Sequence, residues 1–108
     1  MKPDEILLQL GCDLDAPGMD DFIELCYRVR AAWREPGENR HVMSATVQEM
    51  CDVRKTFSRA FYQRMKRAVR PVLNADDATL AEFGIRLRKR TSSELAYCLA
   101  EILEREGS

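Results

Sequence analysis

Residues 54 to 70 read RKTFSRAFYQRMKRAVR, a run with seven Lys or Arg and no acid. Cations at that density attract a polyanion, whereas a helix charged only for solubility would interleave Glu. On a helical wheel Phe57, Phe61, Met65, Ala68 and Val72 share one stripe, with Lys55, Arg59, Tyr62, Lys66 and Arg70 opposite. The chemistry this suits is recognition of double-stranded DNA. Arg59 is suited to a guanine edge, and Ser58, Tyr62 and Gln63 bring hydroxyl and amide groups for base edges. Arg54, Lys55, Lys66 and Arg70, with Lys89 and Arg90 further along, are suited to phosphates.

A short helix about Ser44 to Met50 and a turn at Cys51, Asp52 and Val53 precede a long helix from about Arg54 to Leu73. This is the layout of a helix-turn-helix over about 44–73. Two residues fit it loosely. Val47 stands where the close approach of two helices favours Ala or Gly, and Cys51 where the turn favours Gly. Arg64, at the edge of the apolar stripe, must snorkel outward or meet an acid.

Other chemistries are poorly supplied. Cys12, Cys26, Cys51 and Cys98 form no C-x-x-C pair, and His41 is the one imidazole, so no zinc site is expected. Cys26 and Cys98 fall on apolar stripes as small core residues. Asp13, Asp15, Gly18 and Glu24 match part of a calcium loop, but Pro17 replaces a ligand and Asp20 an apolar residue. The better reading is an acidic turn leading into a helix. No Gly-rich phosphate loop, G-x-S-x-G or His-Glu-x-x-His is present, so we expect no enzyme, cofactor, metal or small-molecule substrate.

The elements that must position the basic run are helical. A chain of 108 residues, 45% of them hydrophobic, buries about 65% of its unfolded surface and needs no staples. No apolar run reaches membrane-spanning length, and acids follow Met1-Lys2-Pro3, so we expect a cytoplasmic protein without a signal peptide. Net charge is -1, yet residues 1–39, 40–90 and 91–108 carry -5, +7 and -3. The spacing predicts a first helix from Pro3 to a Gly11 stop, and a core helix from Met19 to Trp33 ending near Pro36 and Gly37. Trp33 and Tyr27 are expected in the core or at its rim. A polar connection at 38–41 follows. Asp76-Asp77 opens a short helix capped at Gly84, and IRLRKR at 85–90 is a loop or an extended stretch. Thr91-Ser-Ser-Glu94 forms a capping box for a last helix whose stripe is Leu95, Cys98, Leu99, Ile102 and Leu103. The expected fold is all-α, one compact bundle of about six helices spanning 1–108.

The order of these segments resembles the C-terminal DNA-binding domain of the stage-zero sporulation response regulator, the transcription factor that initiates sporulation. The resemblance runs from EILLQLG through FIELCYRV and Met50–Val69 to Phe83-Gly84 and Ser93-Glu94-Leu95. It implies a six-helix bundle whose fifth helix enters the major groove, as paired or tandem domains on repeated short sites, with Arg59 at a base-contacting position. Ser58 and Tyr62 stand where the family uses Glu and Arg, which argues against the family's own DNA box. The chain starts at Met1 with no receiver segment ahead of the domain, so a free-standing regulator is expected. The alternative is a helical interaction module that keeps the fold and binds an acidic protein, with Tyr62 as an exposed aromatic contact.

Overall fold

The computed structural model describes residues 1–33 and 42–106. Among the described residues seven helices follow one another: α1 Pro3–Gln9, α2 Met19–Trp33, α3 Val42–Arg54, α4 Ser58–Ala68, α5 Arg70–Leu73, α6 Asp77–Ala81 and α7 Ser92–Glu106. Among the described residues there is no strand, so the fold is all-α as expected. The end of the second helix near Pro36 and Gly37, the connection with His41 and the packing of the Trp33 side chain lie outside the described residues.

The most extensive packing is between α2 and α7, and α1, α3 and α4 all dock on this pair or beside it. Phe22, Leu25, Cys26 and Val29 of α2 meet Leu95, Leu99 and Ala100 of α7 in a core closed by Phe61 and Met65 of α4. Tyr27, by contrast, is exposed. Of the last helix's expected stripe, Cys98 is only half-buried and its thiol donates to the Arg86 carbonyl. Burial pushes all four thiols above their ordinary pKa, so they remain protonated and serve as packing groups. No helix among the described residues is long and apolar enough to cross a membrane.

Helix ends follow local sequence closely. Gly11 and Gly84 have φ of +96° and +78°. In each case the glycine N–H and the next one bond back into the last turn, Gly11 to Leu8 and Cys12 to Leu7, Gly84 to Ala81 and Ile85 to Leu80. These are Schellman ends, which need a residue tolerant of positive φ. Asp76 caps α6 by accepting from the Thr79 amide at 2.7 Å, and Thr91 Oγ1 accepts from the Glu94 amide at the start of α7.

The long helix expected over 54–73 is divided among three elements. Its first residue, Arg54, belongs to α3, whose end is a third Schellman motif, with Thr56 N–H bonded to the Cys51 carbonyl and Lys55 N–H to that of Asp52. The turn is thus Lys55, Thr56 and Phe57, not Cys51 to Val53. At the far end Pro71 has no N–H for the Arg67 carbonyl and its ring crowds that oxygen, so α4 stops at Ala68 and α5 restarts at Arg70.

Candidate nucleic-acid interface

The shifted turn changes what each residue of the basic run does. Lys55 has a φ of +52°, the one non-glycine residue with positive φ among those described. It holds the left-handed position where glycine would be unstrained. With the turn here, Val47 is a fully buried helix residue, and Cys51, also buried, ends its carbonyl on the Schellman bond.

The loop before α2 fixes the back of α4. Gly18 has a φ of +88°, and a Cβ placed there would lie 2.7 Å from the Arg64 carbonyl oxygen. The loop therefore packs backbone to backbone on α4, and only glycine fits. Arg64 is half-buried and lines a cleft with Ala16, Pro17, Arg67 and Ala68. No acid is paired with it among the described residues.

On the front of α4, Arg59, Gln63 and Lys66 are exposed, as are Ser58 at its first turn, Lys55 in the preceding turn and Arg70 at the start of α5. Among the described residues none of Lys55, Arg59, Lys66, Arg67 and Arg70 makes an ion pair or a side-chain hydrogen bond. Arg67, not among the sequence-selected residues, is exposed on the flank of α4 that faces Ala16 and Pro17. The result is one helix face and its preceding turn carrying unpaired cations and neutral hydrogen-bonding groups.

Three selected residues stand apart from this face. Arg54 closes α3 against α2: its Nε donates to Asp21 at 2.7 Å and its Nη2 to Glu24 at 3.0 Å. Its guanidinium carbon lies 6.0 Å from the centre of the Phe61 ring. Tyr62 turns sideways and packs half-buried on the core. Burial pushes its phenol above its ordinary pKa, while a bond with the Ser93 side chain acts in the other direction. Together with Gln63, Lys66, Thr91, Ser92 and Ser93 it lines a cleft of about 200 Å³ between α4 and the start of α7. Arg90 donates to the Ala75 carbonyl at 2.7 Å and to Asp77, tying the last loop to the α5–α6 turn. Lys89 beside it stays exposed.

Phe57 reverses its expected direction. Assigned to the inward stripe by the wheel, it lies 84% exposed at the N-cap of α4, and Val53 at the end of α3 is 76% exposed. For Phe57 the cause is the turn: the residue keeps the spacing of the stripe in sequence, but its backbone is extended rather than helical, so its side chain does not follow Phe61, Met65 and Ala68 into the core. No cluster of His, Cys, Asp or Glu among the described residues is arranged to hold a metal ion.

Comparison with protein-family models, curated proteins and solved structures returned no match. The functional reading therefore rests on the face just described.

Proposed function

We propose that this chain is a sequence-specific double-stranded DNA-binding protein acting in transcription regulation, in the manner of the sporulation regulator's effector domain. The observation that carries the reading is the α3–turn–α4 unit, in which a buried apolar stripe holds α4 while its opposite face presents Arg59, Gln63 and Lys66 unpaired and Ser58 is exposed at its first turn. A helix presented in this way suits the major groove, where arginine recognises guanine and the amide and hydroxyl groups assist. Lys55, Lys66, Arg70 and Lys89 supply phosphate contacts around it, and Arg54 and Arg90 support the scaffold. The start of α7 opens on the cleft that Gln63 and Lys66 line, and its dipole attracts any anion without choosing between phosphate and carboxylate, so the cations carry the affinity.

The test is selection from a random duplex pool, followed by fluorescence anisotropy between about 50 and 200 mM salt for wild type and Arg59→Ala. An enriched motif, a steep salt dependence and a loss of about 1 to 3 kcal/mol in the variant are expected. Motifs that recur as repeats would indicate dimeric or tandem binding. If no motif emerges and the residual binding ignores Arg59→Ala, the reading fails and an acidic protein partner takes its place.

A further inference from the structure

We propose that Phe57 is a base-reading residue that seats on the C5-methyl group of a thymine in the major groove, an inference that rests on α4 being a recognition helix. Two independent features set Phe57 apart. It is 84% exposed, the most exposed of the large apolar side chains among the described residues. It also occupies the N-cap of α4, with φ of -93° and ψ of 146° and no side-chain capping bond. Ser, Thr, Asp and Asn serve that position, because their oxygen accepts from the first free amides of the helix; phenylalanine has no acceptor. The ring thus helps neither the core nor the cap. Departures from local preference of this kind concentrate where a surface is used.

Position decides what the ring meets. Phe57 stands at the amino end of α4, directly before Ser58 and Arg59, and it is the amino-terminal residues of a recognition helix that contact base edges. Charge decides between partners. The ring is flanked by Lys55 and Arg59, with no acid anywhere between residues 54 and 70. An apolar protein surface closing over the ring would trap those cations unpaired. In the major groove they face phosphates and guanine, and the thymine methyl is the apolar group the groove offers.

The experiment uses the duplex selected by the wild-type chain and replaces each thymine in turn by deoxyuridine, which removes only the methyl group. Wild type, Phe57→Ala and Phe57→Ser are titrated by anisotropy, the serine variant guarding against loss of fold because it supplies a cap. One deoxyuridine position should weaken wild-type binding about three- to fivefold, the value of roughly one buried methyl. Both variants should bind the parent duplex more weakly by a similar factor and be indifferent to that replacement. If wild type binds every deoxyuridine duplex as tightly as its parent, or the variants keep the sensitivity, the role of Phe57 is overturned, while a motif that still depends on Arg59 leaves the DNA-binding reading standing. Absence of any selected motif overturns both.

Discussion

Arg54 Nε donates to Asp21 Oδ1 at 2.7 Å across the α2–α3 contact, and both side chains are more than two-thirds withdrawn from solvent. The first cation of the basic run thus belongs to the scaffold, whereas Arg59, five residues later and exposed, has no partner among the described residues. The two arginines should separate cleanly. Arg54→Ala is expected to lower stability by about 1 to 3 kcal/mol, since it strands the Asp21 carboxylate, whereas Glu24 loses one charged bond and keeps the one from Arg28 at 2.8 Å. Below its unfolding range, its DNA affinity should remain within about twofold of wild type. Arg59→Ala should show the reverse, with unchanged thermal unfolding and weakened sequence-specific binding. Urea melts and anisotropy on the same preparations check both.

The α3–α4 turn holds a lysine in a left-handed conformation and a phenylalanine at a cap, each in a place better suited to another residue. Lys55→Gly should raise stability by about 1 kcal/mol by relieving positive φ, and Phe57→Ser by about 0.5 to 1 kcal/mol by capping α4. Both gains should come with weaker DNA binding. For Lys55→Gly the loss should be similar for all sequences and should lower the salt slope by about 1. Calorimetric melting temperatures beside salt titrations decide it.

Gly18 contacts the backbone of α4 rather than a side chain that could move. Gly18→Ala combines a strained φ of +88° with a Cβ 2.7 Å from the Arg64 carbonyl oxygen. A loss of about 2 to 4 kcal/mol is expected, together with weaker DNA binding from a displaced α4. Gly11→Ala, where the added Cβ would approach nothing nearer than Pro71 Cβ at 4.0 Å, should cost only the backbone term, about 1 to 2 kcal/mol. The difference between the two melts measures the contact itself.

Asp76 is held below its ordinary value of 3.8 chiefly by its bonds from Thr79, with the charge of Arg90 adding to the effect. A carboxylate whose pKa is lower in the folded state contributes stability above its unfolded pKa and loses it as pH falls through the folded value. Acid unfolding should therefore draw on this cap below about pH 4. Asp76→Asn keeps a capping oxygen without the charge, so its melting temperature should fall less steeply than that of wild type between about pH 4 and pH 2.

Much of the helical order was legible because its signals are local. Pro3, Gly11, Asp76, Gly84 and Thr91 each act within one turn of the chain, and each begins or ends a helix where its chemistry predicts. The boundary between α3 and α4 was legible as a turn but was placed about one helical turn too early, at Cys51 to Val53, for a physical reason. Met43, Val47, Met50, Phe57, Phe61, Met65, Ala68 and Val72 stay in helical phase across the turn, so periodicity shows no break. The glycine that would mark the left-handed position is a lysine. Phe57 was consequently read inward, and Arg54 was grouped with the outward cations. Arg59, Gln63 and Lys66 needed only the phase of α4 itself, which the buried Phe61 and Met65 set. Tyr62 and Arg90 depend on Ser93, Ala75 and Asp77, partners whose proximity no pattern in the sequence reveals.

The pairing of α2 with α7 makes the unit between them a closed loop. Residues 42 to 91, including all of α3 and α4, hang from a neck formed by helices near the two ends of the chain. The entropy of closing that loop must be met before the neck contributes any packing. The α3–α4 unit should accordingly reach its final shape late in folding, and a fragment containing it alone would lack the α2 and α7 surfaces that orient it. A substitution at the neck, such as Leu99→Ala, would then register as lost DNA occupancy although Leu99 lies in the core, because the population of closed chains sets how much recognition surface exists.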